Sequence, residues 1–146
     1  MTFYRLGDTT GREDTNLMAS SSVLGSCKIM AFVAVRDPER AKSFYRDTLG
    51  LRLVEEALPF ALVFDAHGTM LRVTIVQDIV LAPYTVLGWE VPDIAATARQ
   101  LTVAGVKLER YPVMQQDELG IWKAPSGAKV AWFKDPEGNV LSVTQF

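Results

Sequence analysis

The chain has a single cysteine, Cys27, and a single histidine, His67, in 146 residues. One cysteine excludes an intrachain disulfide and gives no sign of an oxidising compartment, so the cytosol is the expected location. Long apolar runs are missing too. The first 26 residues hold no apolar stretch that a signal sequence would need, and no later segment approaches the roughly 20 apolar residues of a membrane helix. Nor does one sign of charge dominate: 15 basic side chains stand against 17 acidic ones, interspersed. That balance removes the electrostatic footprint of a nucleic-acid or anionic-membrane binder. A small organic ligand and protein partners remain, with no nucleic acid and no membrane.

What is present is 49% hydrophobic residues in a chain long enough for a true core. A domain of this size buries roughly 68 to 70% of the surface its unfolded chain exposes, without needing disulfides or structural metal. Residues 1–26 are expected to form a flexible N-terminal tail, because Gly7 to Ser26 are rich in Ser, Thr, Asp, Glu and Gly and lack periodicity. Met18 is an alternative start within it. Residues 27–146 then form one domain.

From Ile29 onward the chain repeats itself. An apolar run, Ile29 to Val35, leads to Asp37, a helical stretch and Gly50; a second, Thr85 to Val91, leads to Asp93, a helical stretch and Gly105. Asp37 and Asp93 are expected N-caps, with Pro38 at the first helical position. Ala41, Phe44, Tyr45 and Leu49 mark the buried stripe of one helix, and Ile94, Ala98 and Leu101 that of the other. Gly50 and Gly105 are expected to end the helices in the left-handed conformation. Strands are expected at Leu51–Glu56, Phe60–Phe64 and Thr69–Val76 in the first module (29–77). In the second (85–146) they are expected at Val106–Arg110, Ala128–Lys134 and Asn139–Thr144. The turns between the last two strands are Asp65-Ala66-His67-Gly68 and Asp135-Pro136-Glu137-Gly138. The unit is β-α-β-β-β, twice, an α+β chain. A ferredoxin-like βαββαβ domain would put only two strands between its helices, and a dinucleotide-binding unit would need glycines where Arg36 to Glu39 stand.

The run Val35-Arg36-Asp37-Pro38-Glu39-Arg40-Ala41-Lys42-Ser43-Phe44-Tyr45, with Leu49-Gly50-Leu51 after it, resembles the first module of the vicinal oxygen chelate superfamily. That group includes glyoxalase I, bleomycin-resistance proteins and extradiol dioxygenases. Gly88-Trp89-Glu90-Val91-Pro92-Asp93 is similar to the start of its second module, and Phe133-Lys134-Asp135-Pro136-Glu137-Gly138-Asn139 to its closing hairpin. The resemblance covers residues 29 to 146. It implies that the two βαβββ modules curl into a half-open eight-stranded barrel, the site on the concave face and the helices on the convex one. The alternation of Leu71, Val73 and Ile75 with Arg72 and Thr74 agrees with a two-faced sheet.

Enzymes of this family hold a divalent metal on four strand positions that need His, Glu or Gln, strong donors that leave room for substrate oxygens. Counting the offsets places Met30, Thr74, Val86 and Ser142 there, none an ordinary ligand, so no metal and no other cofactor is expected. The expected ligand-binding residues are these four with Phe32, Arg72, Glu90, Trp122 and Trp132. Arg72 and Glu90 fall on the concave face, where each needs a partner. Either they pair with each other, or Arg72 receives an anionic or carbonyl oxygen of the ligand. Trp122 and Trp132 are placed to stack on a flat ligand, or else to serve a core or dimer interface. His67 reads as a solvated turn residue and Cys27 as unreactive. Gln115 to Gly120 reads as an exposed loop before a short strand. No catalytic residue is identified. The expected function is a metal-free, homodimeric binder of a small organic molecule. A metal-independent lyase or isomerase using Arg72, Glu90 or a tyrosine, and a ligand-responsive partner protein, are the alternatives.

Overall fold

The computed structural model describes residues 22–146, so the expected tail lies outside the described residues as far as residue 21. Module one runs β1 (Met30–Val35), α1 (Pro38–Lys42) continued by a π-helical segment (Ser43–Thr48), β2 (Arg52–Ala57), β3 (Ala61–Ala66) and β4 (Thr69–Ile75). Module two runs β5 (Leu87–Glu90), α2 (Ile94–Val103), β6 (Trp122–Lys123), β7 (Lys129–Lys134) and β8 (Val140–Gln145). Each folds into a four-stranded mixed sheet, ordered β1-β4-β3-β2 and β5-β8-β7-β6, with the first and last strands of each module parallel. The β-α-β-β-β unit therefore occurs twice.

Local chemistry accounts for the element ends. Asp37 is extended (φ −107°), and its Oδ1 accepts from the amides of Glu39 at 3.1 Å and Arg40 at 3.2 Å. Asp93 does the same for Ala96 at 3.1 Å, so both helices begin where a carboxylate satisfies first-turn donors. Gly50 and Gly105 follow the helices with φ of +79° and +91°, a region that costs glycine little and other residues more.

The pleat sorts the side chains into two faces. Val33 and Val35 of β1, Leu71 and Val73 of β4, Ala131 and Phe133 of β7, and Leu141 and Val143 of β8 are buried toward the helices. They meet Ala41 and Tyr45 on one side, Ile94, Ala98 and Leu101 on the other, in one apolar cluster that spans both modules. Each large side chain buried there contributes about 1.5–3 kcal/mol before its entropy cost.

One expected strand is absent. Val106–Arg110 makes no ladder, and a single backbone bond, Glu109 N–H to Trp132 O at 2.8 Å, ties it to the sheet. Side chains replace the missing ladder. Gln116 accepts from the Tyr111 amide and donates to the carbonyls of Glu109 and Gly120, while the Arg110 guanidinium donates to the carbonyls of Asp117 and Glu118. These bonds satisfy the backbone locally, Pro112 has no amide to give, and the fourth strand shrinks to Trp122–Lys123.

The β7–β8 turn is a clasp between the modules. Asp135 is buried, and its Oδ1 accepts from the amides of Glu137, Gly138 and Asn139. Its Oδ2 accepts from the Tyr45 hydroxyl at 2.7 Å and from Asn139 Nδ2 at 2.8 Å. Asn139 also donates to the Ala34 carbonyl at the free edge of β1, and Glu137 receives the Asp37 amide and the Arg36 guanidinium. The clasp thus grips the corner between β1 and α1, and that grip sets how the two sheets meet.

Candidate functional site: the two concave faces

Ladder register decides which side chains share the face away from the helices. In sheet one Phe32, Arg72, Val63 and Glu55 form one row across the four strands, with Met30, Met70, Asp65 and Arg52 beside it. In sheet two Gly88, Ser142 and Trp132 form one row, and Glu90, Thr144, Val130 and Trp122 the next.

The two faces differ in chemistry. On sheet one Met30, Phe32, Val54 and Met70 are exposed apolar residues, Phe32 at 58%. A recess of about 410 Å³ lies among Met30, Met70, Val54 and the Arg52–Asp65 ion pair (3.1 Å). On sheet two the surface is aromatic. Trp132 meets Tyr111 edge to face at 5.5 Å and 86°, and Trp122 at 6.0 Å and 36°. The Trp132 Nε1–H donates to Thr85 Oγ1 at 3.1 Å, which fixes the indole plane and satisfies its polar atom. A recess of about 300 Å³ opens here, lined by Tyr84, Thr85, Tyr111, Met114, Trp132 and neighbours, none of them charged. Burial, and then the nearby Glu109 charge, push the Tyr111 phenol up, so it stays protonated.

The expected site residues are brought together only in part. Trp122 and Trp132 meet, and Ser142, buried, stands opposite Trp132 on the ladder. Phe32 and Arg72 are direct neighbours. Met30 and Thr74 do not meet: Met30 pairs with Met70, and Thr74 with Ala34 four residues on, a displacement of roughly 13 Å along a parallel ladder. Val86 precedes β5, its amide bonded to the Val140 carbonyl, while Ser142 pairs with Gly88. Arg72 and Glu90 belong to different sheets and form no ion pair; Glu90 is exposed at the end of β5. Among the described residues the Arg72 guanidinium has no carboxylate or hydrogen-bond partner, although the residue is half-buried. His67 is an exposed turn residue at φ +51°, and Cys27 is exposed.

Tyr111, Tyr84 and Thr85 carry the aromatic recess and escaped the sequence reading. Tyr111 directly follows the segment expected to be a strand, and its amide is held by Gln116 in the loop that brings its ring against Trp132. The tyrosine next to a proline is the one local signal.

Two βαβββ modules, their helices on one side and open faces on the other, define the class of protein this is. The family model described as Glyoxalase/Bleomycin resistance protein/Dioxygenase superfamily matches residues 28–143, and the chain belongs to that superfamily. Among solved structures it is similar to lactoylglutathione lyase from Agrobacterium tumefaciens (18% identity, TM-score 0.63, 82% of this chain and 93% of that one). It is also similar to a glyoxalase family protein from Enterococcus faecalis (19%, TM-score 0.62, 79% and 94%). A third is a glyoxalase/bleomycin resistance protein/dioxygenase from Alicyclobacillus acidocaldarius (16%, TM-score 0.59, 83% and 92%). At these identities the likeness is one of fold. No curated protein is similar enough in sequence to match the chain.

The residues do not fit the metal that enzymes of the family hold. The counted positions offer a thioether, two hydroxyls and a valine, they are not level on the ladders, and their ladder partners Met70, Ala34, Ala61, Gly88 and Trp132 add no strong donor. Among the described residues no three His, Cys, Asp or Glu side chains converge. Hard divalent ions need such donors, so no chemical step is routed through a metal here. No helix among those residues is long and apolar enough to cross a membrane.

Proposed function

We propose that this protein binds a small, flat organic molecule on its concave side and sequesters it without the family metal. The observation that carries this reading is the aromatic corner of Tyr111 and Trp132, backed by Trp122, which borders a recess free of charged side chains. Such a wall gains dispersion and stacking energy against any flat ring and demands no particular reaction. Arg72, half-buried beside Phe32, supports a role in receiving a carboxylate or carbonyl oxygen of the ligand. The lyase or isomerase alternative needs an acid–base pair, and the lining of the aromatic recess offers only the hydroxyls of Tyr84, Thr85 and Tyr111, with no carboxylate, imidazole or amine beside them.

The protein acts as a homodimer in this reading. Met30, Phe32, Val54 and Met70 expose an apolar patch on sheet one, and the free edges of β1, β2 and β5 gain cover from a second copy. The cytosol is the proposed location, consistent with one exposed, unbridged thiol.

Tryptophan quenching by a panel of aromatic carboxylates tests the binding, with light scattering for the mass. Saturable quenching is expected, weakened roughly threefold to tenfold by Trp132→Ala through lost stacking. Arg72→Met weakens acidic ligands about tenfold to a hundredfold. Quenching that never saturates for any of the panel, or that is indifferent to Trp132→Ala, overturns the reading. A monomer at micromolar concentration overturns the dimer.

A further inference from the structure

The helix side of sheet two holds a second cavity, of about 620 Å³, between the start of α2, the 115–121 loop and the last row of the sheet. The register puts Gln145, Lys129 and Lys123 in that row, opposite one another on β8, β7 and β6. They share the face of Ala131, Phe133, Leu141 and Val143, which are buried against α2, whereas Lys123 and Lys129 of the end row stay exposed. The cavity therefore lies behind the aromatic recess, not within it. Its floor is apolar, with Ile94 and Ile121 both buried.

Lys123 and Lys129 stand directly across an antiparallel pair, where like charges repel. Among the described residues neither has a carboxylate within 4.0 Å, and neither amino group has a hydrogen-bond partner. Protection of a sheet edge does not account for both, since Lys129 is on β7, an inner strand. The carboxylates in the lining are held by the backbone instead: Asp93 by the Ala96 amide, Asp117 by those of Leu119 and Ile121. Gln145 gives its Oε1 to the Ile94 amide, which leaves its NH₂ as a donor beside the lysines.

We infer that this cavity is a second ligand site, for a small organic dianion, a phosphate monoester or a dicarboxylate, held between Lys123 and Lys129. A doubly charged oxyanion turns the repulsion of the two ammonium groups into two charge-assisted hydrogen bonds, and the cavity is large enough for such a molecule with its carbon frame.

The test is calorimetric titration of the whole protein with phenyl phosphate, inorganic phosphate, malonate and succinate at constant ionic strength, with sodium chloride as the blank. Saturable binding of at least one dianion is expected, with a raised melting temperature. Each of Lys123→Gln and Lys129→Gln should weaken it about tenfold to a hundredfold, the loss of one charge-assisted bond. The unliganded double variant should melt no lower than the wild type, because the repulsion is gone, so lost binding is not lost folding. Lys107→Gln, an exposed lysine elsewhere, is the matched charge control and should bind as the wild type does. Tighter binding of phosphate esters or of dicarboxylates identifies the ligand class. Dianions that do no more than chloride, or a double variant that binds as well as the wild type, overturn the inference.

Discussion

Asp65 and Asp135 stand at corresponding corners of the two modules, each three residues before the glycine that ends its hairpin turn and each accepting that glycine's amide at 3.0 Å. There the likeness stops. Asp65 is half-exposed, paired with Arg52 at the surface, whereas Asp135 is buried and holds three amides, a tyrosine hydroxyl and an asparagine. The same contrast runs through the modules. β2 is a six-residue strand, and its counterpart β6 has two residues because the preceding segment became a loop that carries Tyr111. One concave face exposes Met30, Met70, Val54 and Phe32 beside charged side chains, the other a cluster of Tyr and Trp rings. A shared β-α-β-β-β template supplies the sheets and their faces; the departures from symmetry supply the lock between modules and both proposed ligand sites.

The largest test of this contrast is to remove each aspartate. Asp135→Ala leaves five donors without their acceptor and should cost about 3–5 kcal/mol in chemical denaturation. Asp65→Ala loses a turn bond and a surface ion pair and should cost about 1 kcal/mol or less. Equal costs would mean that the clasp is no more than a turn.

Tyr45→Phe sharpens the same point from module one, where the side chain is wholly buried. Burial, then the Asp135 charge, drive the Tyr45 phenol far above its usual range, so it remains a donor at every working pH. Its removal should cost about 1.5–3 kcal/mol, the range for a hydrogen bond to a charged group, and the loss should shrink in an Asp135→Ala background.

Acid should loosen the clasp as well. Burial would raise the Glu137 carboxyl, but the amides of Arg36 and Asp37 and the Arg36 guanidinium outweigh it and hold the pKa below the ordinary value. A group depressed in the folded state stabilises fully above its unfolded pKa, and that share is lost as pH falls through the folded value. Melting curves of wild type and Glu137→Gln should therefore converge at the acid end and separate above the ordinary carboxylate range. Parallel curves throughout would sink this assignment.

The smallest effect concerns Arg72 and Glu90, one on each sheet. With no ion pair between them, the stability changes of Arg72→Met and Glu90→Gln should add to within about 0.5 kcal/mol in a double-mutant cycle. Strong coupling would mean that the two concave faces touch through these charges.

Much of the fold was legible locally. Asp37, Asp93, Gly50 and Gly105 mark helix ends through backbone chemistry that needs no distant partner, and alternation along Leu71-Arg72-Val73 sets the two faces of β4 because the pleat has period two. Trp122 and Trp132 were visible as aromatics that could stack on a ligand or serve a core or dimer interface, but not as neighbours. The residues 106–110 were misread because β propensity reports a side chain's fitness for a sheet, not whether a glutamine seven residues away will satisfy the backbone first.

The amino-acid order by itself determined the repeat, the caps, the turns and the inward and outward residues of each strand, since all of these follow from interactions within a few residues. Only the tertiary structure decided that Asp135 meets Tyr45 across 90 residues, that Met30 stands level with Met70 and not with Thr74, and that Lys123 faces Lys129. Those outcomes depend on ladder register and on the docking of one module against the other, and both are set by packing of the whole core, to which no local pattern has access.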